Sequence, residues 1–64
     1  MNWDLRFDAV TLRAWETWTK NGLNMDKDAR NETMRTVYDA ATNVWIDGMS
    51  DAEWVAATLK KLSS

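Results

Sequence analysis

The side chains that could do chemistry in this chain are carboxylates and amines, because its 64 residues include neither histidine nor cysteine. The commonest general base, the thiol nucleophile and the nitrogen and sulfur ligands of transition metals are therefore missing. Two carboxylates could still act as acid and base, but the acidic residues are spread along positions expected to face solvent, and short helices offer no deep cleft. We therefore expect no enzymatic activity and no cofactor.

Residues 24–28, Asn-Met-Asp-Lys-Asp, resemble the alternating oxygen ligands that open a calcium-binding loop. The remainder of that loop is absent, since Ala29 stands where glycine is required and Arg35 stands where the bidentate glutamate is required. Capping of a helix explains the same residues, so we expect no metal site.

Three cations, Arg6, Arg13 and Lys20, recur at intervals of seven residues. On a continuous helix this spacing places them within about 40° of one another, opposite the apolar face. A row of three cations could follow a phosphate backbone, so nucleic-acid binding through possible phosphate contacts at these residues is one hypothesis. The alternative is a solvated outer face, which the nearby Asp8 and Glu16 and the net charge of −2 favour.

Tryptophan is the most unusual part of the composition, with five in a chain of this length. Each indole can bury roughly 200 Å², whereas the interior of so small a bundle has room for about two or three of them. Apolar faces of three different helices should carry Trp18, Trp45 and Trp54. The residues left over are Trp3, Trp15 and Ile46, the last of which points away from the apolar stripe of its helix.

Partly exposed tryptophan is enriched at binding hot spots, so these three left-over residues indicate a docking surface. The leading hypothesis is a non-catalytic protein–protein interaction module that binds through Trp3, Trp15 and Ile46. It would act as a small inhibitor or adaptor, and its size and acidic composition would suit a phage-type inhibitor of a host factor. The partner would be another protein or a second copy of the chain. A self-associating structural bundle is a further alternative.

The helices that must position these residues are marked by caps and by two glycines. Gly22 and Gly48 each follow an apolar segment, where the left-handed residue after a helix belongs, and so predict three helices. Ser50 and Glu53 form a capping box, and this predicts a third helix over residues 51–62. A second helix is predicted over about residues 26–47; Asn24, Asp26 or Asn31 could each be its N-cap, and Asp26 is favoured.

The first helix is predicted over about residues 8–21, with Asp8 as its N-cap. Residues 2–7 alternate between apolar and polar types, so they form either a short extended N-terminal arm or an earlier start of the helix. In both versions the inward face consists of Val10, Ala14, Trp15 and Trp18.

These elements predict a single domain over residues 1–64, all-α, with the architecture of a small three-helix bundle. No apolar run approaches the ~18 residues needed to cross a bilayer, and the charged N-terminal residues do not form a signal peptide. We therefore expect no membrane partner and a cytoplasmic location, which would be the host cytoplasm for a viral protein.

Overall fold

The computed structural model describes residues 2–20 and 25–64, except for the side chains of Asn2 and Trp3. The described residues contain three helices, α1 (Asn2–Thr19), α2 (Lys27–Val44) and α3 (Asp51–Ser63). Each helix packs against both of the others. The chain is therefore an all-α three-helix bundle, as its sequence predicted.

Helix α1 begins at Asn2, well before the predicted residue 8, so residues 2–7 are helical and form no extended arm. Asp8 lies inside the helix and does not cap it. The reason is tertiary, because the first turns have partners elsewhere in the bundle. The Phe7 ring lies 5.5 Å from the Tyr38 ring on α2 and 5.9 Å from the Trp54 ring on α3, between ring centroids. Packing of this kind stabilises helical turns that are marginal in isolation.

The starts of α2 and α3 are the predicted ones. Asp26 is the N-cap of α2, and its carboxylate accepts a hydrogen bond of 2.8 Å from the Ala29 backbone N–H. At α3, the Ser50 hydroxyl accepts from the Glu53 backbone N–H at 3.2 Å, while the Glu53 carboxylate accepts from the Ser50 backbone N–H at 3.0 Å. Both halves of the capping box are thus formed.

The helix ends differ from the prediction. Helix α1 ends at Thr19, and Lys20 adopts the left-handed conformation with φ of 59°; Gly22 lies outside the described residues. Helix α2 ends at Val44 rather than at residue 47. Gly48, with φ of 90°, belongs to a tight turn that is closed by a hydrogen bond of 3.1 Å from the Met49 N–H to the Ile46 carbonyl. A positive φ at the third residue of such a turn favours glycine.

The core is centred on the Trp54 indole, which is fully buried between the helices. Its Nε1–H donates a hydrogen bond of 2.9 Å to the Ala41 carbonyl, and the Trp45 ring lies 4.4 Å away. In the described part of the chain, no buried side-chain polar atom lacks a hydrogen-bond partner. The buried apolar residues that pack together in this core are Val10, Ala14, Trp15, Val37, Ala41, Trp54 and Val55.

Candidate protein-binding site

Trp15, a predicted docking residue, is in the core and only 3% exposed. Its indole Nε1–H donates a hydrogen bond of 2.8 Å to the Thr33 hydroxyl on α2. The guanidinium carbon of Arg30, which is also on α2, lies 5.2 Å from the centre of the Trp15 ring. The expectation that Trp15 is left over from the core is therefore wrong, and a ring this deeply buried offers little surface to a partner.

The other indoles give no exposed aromatic surface among the described side chains. Trp18 and Trp45 are half-buried against the core, and Trp54 is fully buried. The side chain of Trp3 lies outside the described residues. Two indoles, Trp15 and Trp54, occupy the interior, and two more, Trp18 and Trp45, cover the edges of the core. The interior thus holds as many indoles as its size allows, and the edges hold the others that the structure describes.

The three cations Arg6, Arg13 and Lys20 do not form a row that a ligand could contact, because Arg6 is bonded within the bundle. The Arg6 Nε–H donates to the Asp51 carboxylate at 2.6 Å, and its Nη2–H donates to the Met49 carbonyl at 2.8 Å. Arg13 and Lys20 are exposed. Since Arg6 holds α1 against the start of α3, the geometry does not favour a phosphate-binding role for the three residues together.

Ile46 is the predicted docking residue that the structure leaves accessible, with 67% of its surface exposed. It follows the end of α2, and both its backbone N–H and its backbone carbonyl form hydrogen bonds with Met49. The Ile46 N–H donates to the Met49 Sδ atom at 3.4 Å, and the Ile46 carbonyl accepts from the Met49 N–H. An apolar side chain is thus presented to solvent from a fixed turn.

A shallow, largely apolar depression surrounds this side chain, between the end of α2 and the last turns of α3. We call it the Ile46 surface, and it consists of Val44, Ile46, Ala57, Lys60, Lys61 and Ser64. Sequence reasoning found Ile46 because it departs from the apolar stripe of α2. It missed the α3 residues, because their spacing alone does not show which part of α2 they face.

Other exposed apolar side chains do not belong to this depression. Leu5 is 72% exposed, and Leu12, seven residues later, lies on the same outer face of α1. Tyr38 is partly exposed but packs against Phe7. Single exposed apolar residues are common on protein surfaces, and Leu5 provides a comparison for Ile46.

The described residues contain no group of three or more histidine, cysteine, aspartate or glutamate residues that could hold a metal ion. None of the helices in residues 2–20 and 25–64 combines the length and the hydropathy required to span a bilayer.

The fold and this site together define the chain as a small three-helix bundle with an apolar surface that two lysines flank. Comparison of the chain with protein-family models, with curated proteins and with solved structures finds no match.

Proposed function

We propose that the protein is a non-catalytic protein–protein interaction module that binds its partner through the Ile46 surface. The observation that supports this most directly is the exposure of Ile46, at 67%, on a backbone that hydrogen bonds to Met49 hold in place. Full burial of an isoleucine side chain is worth about 1.5–3 kcal/mol. The fold forgoes most of that stabilisation, and a partner that covers the side chain would recover this part of it.

Rigidity makes this surface suitable for binding. Isoleucine is branched at Cβ and has few rotamers, and the turn that carries it is closed by the bond between Met49 and Ile46. A side chain that is already ordered loses little conformational entropy when a partner covers it. A module of this kind acts by occupying or bridging a surface of its partner, as an inhibitor or an adaptor does.

The test compares two matched substitutions of exposed aliphatic residues, Ile46→Glu and Leu5→Glu. The wild-type protein and both variants are immobilised, and proteins that they retain from a lysate of the producing organism are quantified by mass spectrometry. Both substitutions place one carboxylate on an exposed position, but only the first is on the Ile46 surface. Circular dichroism establishes that all three proteins are equally helical.

We expect a partner that the wild-type protein and Leu5→Glu retain and that Ile46→Glu loses. Retention of the same proteins by all three forms would contradict the proposal. Sedimentation of the purified proteins identifies the case in which the partner is a second copy, since the wild-type protein would then be a dimer and Ile46→Glu a monomer.

A further inference from the structure

The charges around the Ile46 surface point to the chemistry of its partner. We infer that the docking segment is acidic, with an apolar side chain that aspartate or glutamate residues flank closely in sequence. This inference rests on the proposed function and adds to it the class of segment that the surface binds.

The apolar residues of the depression would contact the apolar part of such a segment. Val44, Ile46 and Ala57 supply aliphatic groups from two helices and the turn between them, and all three line the depression. A leucine, methionine or phenylalanine side chain placed there would lose its contact with water while covering Ile46.

The two lysines of the depression would contact the charged part of such a segment. Lys60 and Lys61 line it, and no lining residue is acidic. Lysine stems can cover apolar surface while their ammonium groups remain in water, so these side chains can contact both the apolar and the charged part of a bound segment. Asp47 follows Ile46 in the chain but does not line the depression. The side chains that line the depression thus carry two positive charges and no negative charge, in a chain whose net charge is −2.

The two ammonium groups are available to a partner. The ion pair in the described part of the chain joins Arg6 to Asp51 and involves neither Lys60 nor Lys61. Both lysines lie in the last turn of α3, where a cation also complements the negative end of the helix dipole. An ammonium group has three donors, so this favourable position leaves donors for carboxylates of a bound segment, whereas a basic segment would be repelled.

The inference is tested with a random library of 12-residue peptides displayed on phage. The library is cleared on immobilised Ile46→Glu, and the remaining phage are selected on the wild-type protein. We expect enriched peptides to share an apolar residue with aspartate or glutamate within a few positions of it. Enriched peptides that are neutral or basic would overturn the inference, and so would the absence of any enrichment. The lysate comparison above tests the proposed function separately and does not depend on this result.

Enriched peptides are then synthesised, and their affinities are measured by fluorescence anisotropy. Reversal of both lysine charges, Lys60→Glu with Lys61→Glu, should weaken binding roughly ten-fold or more. Each exposed ion pair contributes a modest amount, and charge reversal replaces the attraction with repulsion. The matched control changes Lys27 and Arg13 to glutamate, which alters the net charge equally away from the depression. Equal weakening by both double variants would show a net-charge effect and overturn the inference.

A membrane surface is the competing source of negative charge beside an apolar phase. Vesicles of phosphatidylcholine with phosphatidylserine are therefore titrated with the same proteins. Vesicle binding that depends on Ile46 and both lysines, together with no enriched acidic peptide, would assign the surface to lipid and overturn the inference. No vesicle binding, with acidic peptides enriched, is the expected result.

Discussion

The indole Nε1–H of Trp15 and the hydroxyl oxygen of Thr33 form a hydrogen bond of 2.8 Å that joins α1 to α2. The Thr33 hydroxyl in turn donates to the Ala29 carbonyl at 3.0 Å, one turn earlier in α2. The polar group of Trp15 is thereby satisfied inside the bundle. This contact accounts for the burial of a ring that the number of indoles had suggested would be exposed.

Substitution Thr33→Val tests this contact, because it keeps the branched shape of the side chain and removes the acceptor. A buried N–H group would then be left without a partner, which costs about 1–3 kcal/mol. We expect the free energy of unfolding to fall by that amount in urea denaturation followed by tryptophan fluorescence. Thr36→Val is the control, since its exposed hydroxyl bonds only to the Glu32 carbonyl in the preceding turn. Equal effects of the two substitutions would contradict the assignment.

Replacement of Arg6 should destabilise the fold even when the new residue is lysine. Its guanidinium bonds to the Asp51 carboxylate and the Met49 carbonyl together and lies 5.2 Å from the Trp45 ring centre. Lysine keeps the charge but lacks the planar fork that makes both bonds. We expect Arg6→Lys to lower the free energy of unfolding by about 1 kcal/mol. Arg13→Lys, at an exposed position of the same helix, should change it by less than about 0.5 kcal/mol. Thermal and urea unfolding of both variants provide the comparison.

The capping box of α3 predicts a pH dependence of stability. Hydrogen bonds from the Ser50 backbone and hydroxyl hold the pKa of Glu53 below its ordinary value of 4.5. Since the carboxylate form is favoured in the folded state, its stabilisation is complete above pH 4.5 and is lost as the pH falls through the lowered pKa.

The variant Glu53→Gln isolates this contribution, because glutamine can still accept the bond from the Ser50 backbone N–H. We expect its melting temperature to fall less than that of the wild-type protein between about pH 6 and pH 3. The other carboxylates are the same in both proteins, so their contributions cancel in the comparison. Parallel melting curves across this range would show that the capping carboxylate does not contribute.

Gly48 offers a test of backbone conformation without steric interference. A Cβ atom at this position would meet no heavy atom within 4 Å beyond the adjoining residues of the chain, while φ is 90°. Gly48→Ala should therefore cost about 1–2 kcal/mol through conformational strain alone. A chemically synthesised chain with D-alanine at the same position should be at least as stable as the wild-type protein, because D-residues favour positive φ. Similar losses with both enantiomers, measured by thermal unfolding, would rule out this cause.

Much of the fold could be predicted from the sequence because it depends on residues close together in the chain. Ser50 and Glu53 are three positions apart, and Asp26 caps α2 through Ala29. Ile46 also could be found locally, since it falls outside the apolar periodicity of α2. The start of α1 could not be predicted in this way, because the helical turn that contains Phe7 is stabilised by contacts of its ring with rings on α2 and α3.

The sequence by itself determined the three helices, the caps of α2 and α3, and the absence of thiol and imidazole chemistry. Only the tertiary structure decided between the inward face and the docking surface for Trp15, and only it showed that Arg6 bonds to a residue 45 positions away and that Lys60 and Lys61 lie beside Ile46. Caps and periodicity depend on interactions within one or two turns. The burial of a ring and the composition of a surface depend on which helices meet and at which residues, and no local spacing contains that information.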